Sequence, residues 1–226
     1  MKRFLACCLL FVSFSFAYPQ NYDDAGLWTT ATLEKRLKNN FSVFLTEEFR
    51  LKENFSRINL FYTNAGVGWR PYRFLKFEFA YRFAAKKELD ESYSMRHHLI
   101  FDVAVRRKFN NVTVSYRHRL QSEVRDVQSS EKGGIPEWNS RHKAEIKYDL
   151  DKKYTPFASV EFRYQLRNPY SAESDHTWYA YRTAWGVEYE LNKKNKLVLN
   201  YLIQHEWNVS NPDNLYIVGV EYSYAL

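Results

Sequence analysis

Residues Val112 to Leu120 read VTVSYRHRL. Val112, Val114, Tyr116, His118 and Leu120 alternate with Thr113, Ser115, Arg117 and Arg119. Side chains on an extended strand point to opposite faces with a period of two, so this segment is a ribbon with one greasy face and one charged face. The device recurs in Ala158–Leu166 (ASVEFRYQL) and in Val218–Leu226 (VGVEYSYAL). A protein built only from such ribbons must place its two faces in different surroundings. If the greasy side is too large to form its own core, those surroundings are lipid.

Working outward, eleven such runs are legible: Leu27–Leu37, Phe41–Leu51, Arg57–Arg70, Leu75–Phe83, Met95–Arg106, Val112–Gln121, Arg141–Leu150, Thr155–Leu166, Trp178–Leu191, Lys196–Trp207 and Leu215–Leu226. Most exceed the ~5–6 residues of a globular strand and match the ~9–11 residues of a tilted strand crossing a bilayer. Their connections alternate in length. Lys38-Asn39-Asn40, Pro71-Tyr72-Arg73, Asn110-Asn111, Asp151-Lys152-Lys153 and Asn192–Asn195 are short and rich in turn formers. Ala84–Ser94, Ser122–Ser140, Arg167–Thr177 and Asn208–Asn214 are longer. Short periplasmic turns and long outer loops are the pattern of an outer-membrane barrel. We therefore expect an all-β fold, a single antiparallel transmembrane β-barrel of about 10–12 strands. The competing architecture is a secreted soluble β-protein with its aromatic face inward. An odd strand count conflicts with the even numbers of bacterial single-chain barrels. This leaves open whether residues 18–37 form a wall strand, a plug in the lumen, or a run wrongly merged or split.

The N-terminus reads as an export signal over residues 1–17: Lys2 and Arg3, an apolar stretch from Phe4 to Phe16, then a small-residue cleavage site at Ser15-Phe16-Ala17. The barrel domain is then 18–226. Both cysteines, Cys7 and Cys8, fall in the signal, so the mature chain would have no disulfide, thiol nucleophile or cysteine metal site. Losing Lys2 and Arg3 lowers the formal charge from +7 to +5, and those charges alternate along strands instead of clustering as a nucleic-acid footprint would. With 17 Phe, 18 Tyr and 6 Trp against 7 Gly and 6 Pro, the composition favours strands. No zinc spacing, phosphate-binding glycine loop, dinucleotide fingerprint or Ca²⁺ loop occurs, and no cofactor is expected.

Sorting by parity separates two sets. Phe79, Tyr81, Leu99, Phe101, Val114, Tyr116, Phe162, Trp185, Leu199 and Tyr222 share the greasy parity. The opposite parity carries the candidate lumen and ligand residues. On the earlier strands these are Glu78, Arg82, Arg96, His98, Asp102, Arg106, Arg117 and Arg119. On the later ones they are Lys143, Glu145, Glu161, Arg163, Arg182 and Glu188. Across the hairpins, Arg117 or Arg119 is expected near Asp102, and Lys143 near Glu161. Such pairing lowers the cost of charges in a narrow interior.

Several short elements recur together in one known family: Leu27-Trp28, Glu48-Phe49-Arg50, Tyr81-Arg82, Tyr116-Arg117-His118-Arg119-Leu120-Gln121, Pro156-Phe157 leading to Glu161, Arg182 before Gly186, and Ile217-Val218-Gly219. In this order the chain resembles the bacterial domain-of-unknown-function family 2490 (DUF2490), small outer-membrane β-barrel proteins. The resemblance implies a barrel and a location but carries over no catalytic residues.

The expected role is a non-enzymatic outer-membrane barrel whose charged interior serves structure or narrow solute passage. Its expected partners are outer-membrane lipid and lipopolysaccharide, the outer-membrane assembly machinery and a small polar solute, with no nucleic acid. One alternative chemistry is visible. Ser140 and His142 share a face, with His118 on the neighbouring strand and His97 and His205 at similar height. A lipid-facing hydroxyl beside an imidazole is a candidate nucleophile and base for an esterase or phospholipase. The competing reading is an interfacial belt of imidazoles with Trp138, Trp178, Tyr179 and Trp207.

Overall fold

The computed structural model describes residues 22–88, 92–126, 134–151, 153–170, 175–209 and 212–226. The expected export signal and both cysteines lie outside them. Eleven strands follow one another: β1 (Tyr22–Arg36), β2 (Phe41–Lys52), β3 (Arg57–Tyr72), β4 (Leu75–Lys87), β5 (Tyr93–Phe109), β6 (Val112–Arg125), β7 (Glu137–Tyr148), β8 (Tyr154–Arg167), β9 (Thr177–Glu190), β10 (Asn195–Glu206) and β11 (Asp213–Ala225). Each pairs antiparallel with the next, and the sheet closes on itself.

Closure is where the structure departs from the expected all-antiparallel wall. β1 runs parallel to β11, in register from Tyr22 opposite Asp213 to Glu34 opposite Ala225. The first segment is therefore a full wall strand, not a plug, and the strand number is odd. Parallel ladders are slightly weaker per residue, but an open edge would leave a row of backbone groups unpaired, which lipid cannot satisfy. The seam ends with Leu226 donating its N–H to the Glu34 carbonyl (2.9 Å).

At one end the connections are tight. Asn39 (φ 58°), Asn40 (φ 63°) and Asn110 (φ 51°) occupy the left-handed region that Asn tolerates. Asp151 accepts N–H bonds from Lys153 (2.6 Å) and Tyr154 (2.7 Å), which hold its carboxyl below the usual range. Asn192 does the same for Lys194 and Asn195. Pro71 and Tyr72 belong to β3, so the turn there is Arg73-Phe74. At the other end the loops are shorter than the alternation suggested. β4 and β6 extend to Lys87 and Arg125, and β7 begins at Glu137, so Ser140 sits on a strand.

The barrel is inside out relative to a soluble domain. Phe79, Leu99 and Leu199 are 50–54 % exposed, whereas Asp102, Glu161 and Gln165 are buried at 2–5 %. A water-soluble sandwich would reverse this distribution. The parity has outward exceptions in Lys35 and Arg107 near the turn end and in Glu47, which a hydrogen bond from Thr63 holds (2.9 Å). A bulge in the β8–β9 ladder also resets the face: Arg163 opposes Ala180, yet Tyr164 opposes Trp178. Trp178 thereby turns outward, while the charged neighbours of Tyr179 are the lumenal Arg163, Arg141, Glu137 and Arg182. Tyr179 thus leaves the expected interfacial belt.

Candidate lumenal site

The lumen divides into three tiers. In the half nearest the loops, polar side chains fill the space. Glu123 accepts from Arg96 (2.8 Å) and Arg125 (2.7 Å), and Arg125 also bonds Glu137. His98 contacts Gln121 (3.0 Å) and Glu123 (3.5 Å). Gln165 donates to the carbonyls of Trp138 and Arg167, and Gln204 accepts from Arg182 Nε (2.5 Å). Arg96, His98, Glu123, Glu137, Asn139, Gln165 and Gln204 are all buried.

The middle tier is rich in arginine. Glu161 gathers Arg141 (2.6 Å), Arg117 (3.0 Å), Arg163 (3.3 Å) and Arg182 (3.9 Å). Asp102 takes a forked pair of bonds from Arg119 (2.7 and 2.6 Å), with Arg117 at 4.0 Å. Glu48 accepts from Arg50 (2.5 Å), Thr30 (3.1 Å) and the Tyr62 hydroxyl. Aromatic rings extend the network: Arg50 and Arg182 lie 3.7 and 4.9 Å from the Trp28 ring centre, and Arg82 lies 3.9 Å from that of Tyr62. Seven guanidiniums (Arg50, Arg82, Arg117, Arg119, Arg141, Arg163 and Arg182) thus face three carboxylates.

The tier nearest the turns is a lysine–glutamate zipper. Glu145 binds Lys143 (2.8 Å) and Lys147 (3.2 Å), and Glu188 binds Lys147 (2.5 Å) and Lys196 (3.6 Å). Glu78 binds Lys76 (2.7 Å). Lys143 stands opposite Glu161 in register, as expected, but its ion pair is with Glu145, because arginines already occupy Glu161. Arg106 shares the lumenal parity but is exposed at the turn end, where Arg36 and Arg70 are its charged neighbours.

A cavity of about 490 Å³ runs from the zipper to the arginine tier. Ala80, Ala184 and Gly219 line it, and Gly66, Gly68 and Gly186 sit at nearby lumenal positions closely covered by their neighbours. Facing aromatics lie across some of these gaps. Trp28 pairs with Gly219, Phe44 with Gly66 and Phe157 with Gly186. A Cβ on Gly66 would come within 2.5 Å of Phe44 Cζ. Parity alone missed these lumenal aromatics. A Phe at a charged-parity position opposite a Gly is a usable signal only once the register is known.

On the outside, Ser140 and His142 do meet: Oγ and Nε2 are 3.0 Å apart. His142 Nδ1 contacts the Tyr116 hydroxyl (2.6 Å) and His118 Nδ1 (3.4 Å), and its ring packs on Trp178. Ser140 is only 5 % exposed. His97 is bonded to Tyr81 (2.5 Å), and His205 to Asn214. His176 lies in a loop with φ 53°.

An aromatic-coated, closed sheet around a polar lumen is the architecture of the porin-like barrels. The sequence over residues 25–215 matches the family described as "Protein of unknown function (DUF2490)", and the chain belongs to that family. Among solved structures, the NanC porin superposes with a TM-score of 0.53 at 11 % identity, over 90 % of this chain and 99 % of that one. A bacterial polysaccharide outer membrane secretin gives 0.53 at 14 %, over 83 % of this chain and 64 % of that one. At such identities the likeness is one of fold. No curated protein matches the sequence.

Proposed function

We propose that this protein is a non-enzymatic outer-membrane barrel that admits small polar solutes into its lumen from the periplasmic side. The carrying observation is the cavity of about 490 Å³ between the zipper and the arginine tier. It falls in the ~300–1,000 Å³ range of ligand sites and would hold on the order of ten waters. Placing the short turns in the periplasm orients the open half inward and the filled half toward the outside. Passage through the filled half requires the Arg96–Glu123–Arg125–Glu137 network to part, so conductance should be small. Recording single channels of the purified protein in planar bilayers tests this; a bilayer that stays silent across voltage and salt would overturn passage.

The buried Ser140 supports reading the imidazole belt as an interfacial anchor and not as a hydrolase. Lipid hydrolysis by the wild-type protein, lost in Ser140→Ala, would reverse that assignment.

A further inference from the structure

The arginine tier carries four more positive than negative groups, and its donors are not all used. Arg82 has no carboxylate within salt-bridge distance among the described residues; its contact is the face of Tyr62. Its Nε is buried without a hydrogen-bond partner, as is Arg117 Nε on the same cavity wall. The charged neighbours of Arg82 include Arg119 and Arg50, whose own carboxylates are Asp102 and Glu48, so Arg82 sits beside two guanidiniums that already hold the nearest acids. The zipper below cannot supply the missing charge, because Glu78, Glu145 and Glu188 each hold lysines. Glu221, whose donor is the neutral Asn200 (3.0 Å), offsets one positive charge and leaves the excess at three.

A guanidinium presents a planar fork of donors matched to the two oxygens of a carboxylate or phosphate. A low-dielectric cleft lined by one sign of charge raises the local concentration of its counter-ion. We propose that the middle tier is a binding site for a compact, multiply charged oxyanion, phosphate- or carboxylate-bearing, centred on Arg82 and Arg117 and reached from the turn end. This rests on the reading of the lumen as solute-accessible, but not on passage through the barrel. Thr32 and Thr46, which line the same cavity and bond each other (3.0 Å), leave one hydroxyl donor for a further ligand oxygen. Arg36, Arg70 and Arg106 at the turn-end mouth would draw such an anion in.

The full chain in detergent micelles can be titrated with pyrophosphate and with citrate, at constant ionic strength balanced by sodium chloride, following binding by calorimetry and the thermal unfolding midpoint. Both oxyanions, or one of them, should bind and raise the midpoint where chloride does not; which one does so names the source. Arg82→Gln should weaken binding about tenfold or more, the loss expected for a charge-assisted fork. Arg82→Lys keeps the charge without the fork, and should fold even where the Gln variant does not and bind with intermediate affinity. Arg107→Gln, on the outward face of β5 opposite Val114, should leave binding and the bound-state stability nearly unchanged. Equal binding by wild type and both Arg82 variants, or no binding by either oxyanion, would overturn the site. Oxyanion binding in a barrel that does not conduct removes only passage, and conduction without oxyanion binding removes only the site.

Discussion

Replacing Glu161 with Gln is the most demanding test of the middle tier. The side chain keeps its shape and one carbonyl acceptor, so what is lost is charge. Glu161 is 5 % exposed and faces four guanidiniums between 2.6 and 3.9 Å away. Removing one partner of a buried ion pair leaves the other desolvated and uncompensated, at a cost of about 3–5 kcal/mol. Here the tier's excess of positive charge would rise by one in a wall that cannot easily hydrate it. With a urea dependence of ~3 kcal/mol/M, the upper end expected for a chain of this size, the unfolding midpoint in lipid vesicles should fall on the order of 1–2 M. Glu145→Gln is the matched control. Glu145 is more exposed, faces the open half of the cavity, and its two lysines can turn to water. Its loss should cost less than about 1 kcal/mol. Unfolding followed by the gel mobility of unheated samples reads both variants on the same footing. If Glu161→Gln and Glu145→Gln shift the midpoint equally, the arginine tier is not an electrostatic unit and the reasoning fails.

Other consequences are open to direct measurement. In a background lacking Cys7 and Cys8, Ala31→Cys with Tyr222→Cys should crosslink on oxidation, because the two face each other across the parallel seam. Ala31→Cys with Val218→Cys, displaced four residues or about 13 Å along the strand, should not. Crosslinking of the second pair alone would refute the register of closure. Gly66→Val should destabilise the barrel by about 1–3 kcal/mol through overpacking and reduce any conductance. The new Cβ meets the Phe79 backbone oxygen at 2.7 Å and Ala80 Cβ at 2.8 Å as well as Phe44, and backbone cannot step aside. A fully stable Gly66→Val barrel would show that the glycine does not set the lumen width. Trp28→Leu removes the ring beneath Arg50 and Arg182. It should cost about 1–3 kcal/mol in thermal unfolding, and an unchanged midpoint would show that the stacking is incidental.

How far the sequence could be read follows from what each feature depends on. The strands, their parity and an arginine partner for Asp102, either Arg117 or Arg119, were legible because they are local: a period of two along Val112–Leu120, and a two-residue Asn110-Asn111 turn that sets the register between β5 and β6. Direction was less legible, since alternation has the same period whichever face is buried; long strands and unequal connections supplied it. The β8–β9 bulge escaped because it adds no unusual residue, only an extra position that sends Tyr179 to the lumen and Trp178 to the outside. The parallel seam escaped because it joins the first and last strands, whose pairing is dictated by closure and not by any turn between them.

The division of the lumen into filled and open halves also lies beyond parity, and side-chain size explains it. On lumenal positions near the loops the chain places long polar groups that bond their neighbours: Arg96 with Glu123, Gln121 with His98, Gln165 with the Arg167 carbonyl and Gln204 with Glu206. Nearer the turns it places Gly66, Gly68, Ala184, Gly186 and Gly219, which cannot reach anything. Glycine weakens a strand and leaves no side chain to pack, so its concentration at one level must be offset. Phe44 over Gly66 and the Asn200 side chain over Gly219 supply part of that offset by covering backbone. A barrel needing only a stable interior would be better served by extending the polar network to both ends. Keeping one half hollow beneath a tier of incompletely neutralised arginines costs stability at both levels. That cost is physically intelligible if the hollow is occupied in use by an anion that completes the network from below.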